Sequence, residues 1–242
     1  MQDHAEWARL RDRLLARGRM PALPAGWSHQ SAMLAASGFA YGGDFIVSDL
    51  SADQQRLQAV LVDVCGGGES AVPAAVRFAG ALESLVVAVP DDALLGAANA
   101  YLQRQPSDED LATAVQVVLD LATGEYLIRS AGHPPALHWS LATAEWVIDN
   151  ARGTALGVCD APEFGQTTGV LAPGEALMFY TDGVVESRSA DIDEGIAWLR
   201  AAARTAVLDG WEGAAKRLIA QVDRGDDDRA VLIVRRLAPG GI

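Results

Sequence analysis

Large apolar residues recur along this chain with two different periods. Between residues 3 and 19, Trp7, Leu10 and Leu14 fall at i, i+3 and i+7 among charged neighbours, which predicts an amphipathic helix. Two prolines and a glycine at 20–26 end that pattern. Strands are then expected at 28–36, 44–50 and 57–64, the last two joined by a polar turn at 51–55. Helical spacing returns at 70–104. Pro73 stands in the first turn of one helix, where a missing N–H costs little, and Pro90-Asp91-Asp92 reads as the cap of a second. After the polar loop at 105–110, two β-rich runs flank Ala122-Thr123-Gly124 and predict a hairpin. Short strands are expected near 136–139, 145–148, 166–171 and 175–181, helices at about 193–207 and 210–222, and a last strand at 230–236.

Strands thus come in antiparallel-style groups interrupted by helix pairs, the signature of an α+β fold rather than of alternating βαβ units. Two sheets packed face to face with helices outside would bury both inner faces. The expected organisation is one domain over 20–237 with an appended helix at 1–19.

Composition narrows the function. Half of the 242 residues are hydrophobic and 21% are charged, an ordinary globular balance for a chain that buries roughly 70% of its unfolded surface without staples. No apolar run reaches the roughly 18 residues of a bilayer span, and the first residues contain acids where a secretory signal would be apolar. A cytoplasmic protein without membrane contact is expected. Acids outnumber basic residues 32 to 19, for a net charge of −13, which argues against a nucleic-acid binder. Residues 1–19 go the other way, with five arginines against three acids. The two cysteines, Cys65 and Cys159, form no metal or redox motif and are expected to be small buried side chains in a reducing compartment.

The chemistry-bearing feature is four aspartates, each at the end of an apolar β-like run: Asp44, Asp63, Asp182 and Asp227. Any one alone is an ordinary turn former. Brought together, they would repel and raise one another's pKa unless a cation neutralised them. Oxygen-only ligation suits hard cations such as Mg²⁺ and Mn²⁺, and paired divalent ions are a recurring device for hydrolysing phosphoesters.

Five motifs occur in order: GGDF, DVCGGGESAVPAAV, TAVQVVLDLATGEYLIRSAGHPPAL, LGV…LAPGEALMFYTDGVVESR and DDRAVLIVRR. Over about residues 20–236 the chain resembles the SpoIIE/RsbU-type serine phosphatases of the metal-dependent, protein phosphatase 2C-like superfamily. AGHPPAL at 131–137 and YTDGVVESR at 180–188 are the most specific pieces. The resemblance implies an αββα sandwich with two Mn²⁺ or Mg²⁺ ions at one end, and phosphoester hydrolysis by a metal-bridging hydroxide. It implies Asp63 as the bridging ligand, the Val64 carbonyl on one metal, and Asp182 and Asp227 on the other. Asp44 would bind directly or through water, and Asp63 and Asp182 would be the catalytic pair. Asp227 is preferred over Asp228 as the first acid of the pair before the last strand. The implied substrate is a phosphorylated anti-sigma-factor antagonist of the STAS-like kind. A regulatory partner or second copy could engage the helix at 1–19.

Departures from the family pattern point to low activity. Gly67 stands where a polar residue is usual, Cys65 replaces Ser, and Val47 replaces a second acid. A catalytically weak phosphoprotein-binding module of the same fold and an unrelated acidic α+β domain remain alternatives. His133, before Pro134-Pro135, is expected to hydrogen-bond structurally. Lys216 is the only lysine, so the glycine run is no phosphate loop.

Overall fold

The computed structural model describes residues 20–36, 42–66, 71–105, 111–186, 191–222 and 227–239. The helix expected at 3–19, and Gly67, lie outside them. The ten strands are β1 (Trp27–Leu34), β2 (Phe45–Leu50), β3 (Arg56–Val64), β4 (Ala112–Asp120), β5 (Glu125–Ala131), β6 (Leu137–Ser140), β7 (Glu145–Ile148), β8 (Gly165–Val170), β9 (Ala176–Tyr180) and β10 (Arg229–Arg236). Helices α1 (Val72–Ala88) and α2 (Leu94–Leu102) follow β3, and α3 (Ile192–Leu208) and α4 (Ala214–Gln221) precede β10. A 3₁₀ turn at Asp182–Val184 follows β9.

The strands form two five-stranded sheets, β1-β10-β9-β6-β7 and β2-β3-β4-β5-β8, with every named pair antiparallel. Alternation along each strand builds three apolar layers, because successive side chains point to opposite faces. Leu57, Ala59 and Leu61 of β3 meet Phe179, Leu232 and Val234 between the sheets. Val60, Val62 and Val64 face the other way, against Phe78 and Leu82 of α1 and Leu95 of α2. On the far side, Met178, Tyr180, Val231 and Ile233 pack on Leu199 of α3 and Leu218 of α4. The αββα sandwich expected from the order of elements is the fold of the described residues. None of their helices is long and apolar enough to cross a membrane.

Three local expectations change. Asp91 does not cap α2, which begins after Ala93 with no side-chain cap. Instead Asp91 pairs with Arg56, and its carbonyl accepts hydrogen bonds from Gln116 and Arg129, tethering the interhelical turn to the sheet below. The two cysteines are exposed, not buried. Both sit in turns beyond the last residue of a core-facing run, so the apolar character of the thiol does not decide their place. Val47 belongs to the layer under α1, on the face of β2 opposite Asp44. An acid there would point among Phe78 and Leu82, so its absence takes no ligand from the inner face.

Candidate active site

The same alternation positions the acids. Asp63 continues the inward series of Leu57, Ala59 and Leu61, one step past the last apolar member. Asp44 shares its parity with inward Ile46 on β2, and Thr181 with inward Phe179 on β9. The apolar core therefore ends, at one mouth of the sandwich, in a layer of polar groups drawn from both sheets.

Two residues outside the expected ligand set hold this layer. Thr181 is fully buried, and its Oγ accepts the Ala230 N–H at 2.8 Å. That leaves its own proton for Asp44 Oδ2, also at 2.8 Å, a bond that joins the two sheets. Asp228 is the second. Its carboxylate accepts the Ala36 N–H at 2.9 Å and the Gly43 N–H at 2.5 Å, so it fixes the backbone immediately before Asp44. Asp227, exposed, accepts the Asp228 N–H at 2.8 Å. Asp228 thus gives each of its oxygens to a backbone donor. Parity of the inner face would have pointed to Thr181. On β10 the inward residues are Ala230, Leu232 and Val234, and Asp228 shares their parity.

Close approach at the mouth depends on glycine. A Cβ on Gly183 would lie 2.1 Å from the Asp228 carbonyl oxygen, backbone that cannot swing aside. Gly183→Ala should destabilise the protein by about 1–3 kcal/mol, the usual range for overpacking, and weaken any metal binding with it. A denaturant midpoint equal to that of the wild type would refute this packing.

The electrostatics are those of crowded like charges. Burial first, and then Asp63, push the Asp44 carboxyl well above the usual range, while the Thr181 bond acts in the opposite direction. Asp63 is pushed up to about 8 by burial first, then by Asp182, Asp227 and Asp228. Asp182 rises to about 6 through burial, Asp227 and Glu186. Asp63 and Asp182 keep an opening to solvent although protein surrounds them on most sides. The carboxylates are strung along the mouth, Asp44 to Asp63 to Asp182, adjacent members near enough to hydrogen-bond when one is protonated. Among the described residues, no three His, Cys, Asp or Glu side chains close on one point as a finished ion cage. The donor set still suits a hard cation. Its side-chain donors are all oxygens, their charges raise one another's pKa, and Asp44 Oδ1 is buried with no hydrogen-bond partner. The Val64 carbonyl oxygen lies beside Gly43, 3.1 Å from where a Cβ would stand, at the edge of the same cluster.

His133 is buried close by, its Nδ1 2.7 Å from the Thr113 hydroxyl, and Thr113 stands directly across from Asp63. Burial pulls its pKa down to about 3. Burial thus favours the neutral imidazole, whose Nε2 has no hydrogen-bond partner.

Comparison with solved structures defines the class. The SiaA-PP2C domain of Pseudomonas aeruginosa aligns over 96% of this chain and 94% of its own, with a TM-score of 0.77 at 19% identity. The PP2C phosphatase domain of SpoIIE from Bacillus subtilis, solved with a fragment of its regulatory domain, aligns over 88% of this chain and 64% of its own, with a TM-score of 0.72 at 18% identity. The fold is that of the PP2C-like phosphatases. A crystal structure of the RsbU and RsbW domains of a Mycobacterium tuberculosis protein is 25% identical, with a TM-score of 0.74, covering 92% of this chain and 64% of that one. This chain therefore spans less than two thirds of that relative's length. The family profile of Stage II sporulation protein E (SpoIIE) matches residues 53–237. The chain belongs to the SpoIIE family.

Proposed function

We propose that this protein hydrolyses phosphoserine or phosphothreonine on a regulatory protein, an anti-sigma-factor antagonist of the STAS-like kind, with two divalent cations, Mn²⁺ or Mg²⁺. The observation that carries this reading is the buried chain of carboxylates at the mouth of the sandwich, with an unpartnered Asp44 oxygen at one end. Asp63, central in that chain, would hold both ions. Asp182 and Asp227 would hold one of them, and the Val64 carbonyl the other. Such ions, when bound, draw charge from phosphoryl oxygens and lower the pKa of water. The protein's own part is to present ionised oxygens from both sheets on a rigid frame. RsbX, a relative by fold at 16% identity and a TM-score of 0.65, was solved in complex with magnesium, which supports the choice of hard cations. The substrate class rests on the family match and on the RsbU-containing relative. Residues 1–19, rich in arginine, are proposed as the contact for a regulatory partner or second copy.

The test is hydrolysis of p-nitrophenyl phosphate and of a phosphorylated antagonist. EDTA should abolish both and Mn²⁺ should restore them. Activity indifferent to EDTA, or a stable phosphorylated form of the protein trapped during turnover, would count against this reading. Tight binding of the phosphorylated antagonist without turnover would favour a docking module of the same fold.

A further inference from the structure

Among the described buried polar groups at the mouth, the Thr181 hydroxyl is the one that links the two sheets through a carboxylate. Thr181 lies on the inner face just past β9, fully buried, where either valine or serine would fill most of its space. Its Oγ is committed on both sides. The Ala230 N–H points at it, so one lone pair is used and the hydroxyl hydrogen is directed elsewhere. The acceptor is Asp44 Oδ2, 137 residues away in sequence and in the other sheet. The second oxygen of that carboxylate, Oδ1, is buried and has no hydrogen-bond partner.

This asymmetry has a consequence for ligation. A carboxylate held by a donor on one oxygen cannot spin about its Cβ–Cγ bond, and the lone pairs of the other oxygen keep a fixed direction. Outer groups that orient ligands in this way typically contribute 10–100-fold to metal affinity. We propose that Thr181 is a positioning residue: its hydroxyl, aligned by the Ala230 N–H, pins Asp44 Oδ2 so that Oδ1 alone is offered to a divalent cation. The inference rests on the metal-dependent reading above. Asp44 is thereby referenced to β10 as well as to its own strand.

The measurement is Mn²⁺ binding by calorimetry on the full chain, without turnover, for Thr181→Val, Thr181→Ser and the same changes in an Asp44→Ala background. Thr181→Val, nearly the same size but unable to donate, should raise the dissociation constant about 10–100-fold. Thr181→Ser, which keeps the hydroxyl, should stay within about threefold of wild type. In the Asp44→Ala background Thr181→Val should add less than about threefold, since the two residues act through one bond. Should Thr181→Val fail to fold, Thr181→Cys, with a weaker donor of similar size, carries the same comparison. Equal weakening with and without Asp44, or failure of serine to rescue, would overturn the inference and leave Thr181 a packing residue. Wild-type affinity in Thr181→Val would overturn it too, while leaving the metal-dependent reading intact. Wild-type protein that binds no Mn²⁺ would remove both.

Discussion

Asp63→Asn should lower phosphatase activity by more than about a hundredfold, and by more than Asp44→Asn does. Groups that merely orient a ligand are worth roughly 10–100-fold, and Asp63 is proposed as a ligand to both ions. The change removes one negative charge at nearly constant volume. Its sign on stability is opposite to its sign on activity. Asp63 is buried among Asp44, Asp182, Asp227 and Asp228, and its raised pKa of about 8 records the cost of ionising it there. With EDTA present, Asp63→Asn should therefore melt higher than the wild type at pH 8.5. Asp228→Asn should do the reverse. An amide offers one acceptor oxygen where the carboxylate now receives both the Ala36 and Gly43 N–H groups, and a lost partner of this kind costs about 1–3 kcal/mol. Asp182→Asn and Asp227→Asn should each raise the metal concentration needed for half-maximal rate. If Asp63→Asn keeps the wild-type rate and metal dependence, the site has been placed wrongly.

Metal-induced stabilisation should grow with pH. A carboxylate whose pKa rises on folding holds a proton in the native state that the unfolded chain has already lost. Its contribution is full below about pH 4 and disappears as the pH climbs through the folded value. For Asp182 that passage lies near 6 and for Asp63 near 8. His133 works in the other direction. It is buried neutral with a pKa of about 3, so its contribution is full above about pH 6.5 and is lost as the pH falls toward 3. The clean window is pH 6.5–8.5, where Asp63 titrates and His133 does not. Protein in EDTA should lose stability across that window. Mn²⁺ at a hundred times its dissociation constant should return about 2.7 kcal/mol, roughly 5–10 °C in melting temperature for a domain of this size. At one fixed Mn²⁺ concentration the gain should be larger at pH 8.5 than at 6.5, because ions and protons compete for the same oxygens. Melting curves that coincide at the two pH values, and that Mn²⁺ leaves unmoved, would contradict this account.

The αββα architecture was legible in the sequence because its causes are local. The nearly continuous apolar run at 57–64 makes a strand buried on both faces, and the 3.6-residue spacing at 72–88 makes a helix with one apolar face. Asp44, Asp63, Asp182 and Asp227 could be singled out because each stands at one end of a strand, Asp44 and Asp227 before theirs and Asp63 and Asp182 at the close of theirs. What no local pattern carries is the identity of partners across the sandwich. Whether an aspartate in the run 226–228 anchors backbone or faces the cluster depends on where Ala36 and Gly43 lie, nearly two hundred residues earlier. The exposure of Cys65 and Cys159, the tether from Asp91 to Arg56 and the orientation of Val47 toward α1 were likewise settled by packing between distant elements. Thr181 is the sharpest case. Its sequence neighbours mark the end of β9, but only the pairing of β9 with β10, and the stacking of that sheet on β2, gives its hydroxyl a donor on one side and Asp44 on the other. Hydrophobic periodicity acts within a few residues and so is written in the chain. Hydrogen-bond partnership between sheets is a property of three-dimensional register, and only the tertiary structure decides it.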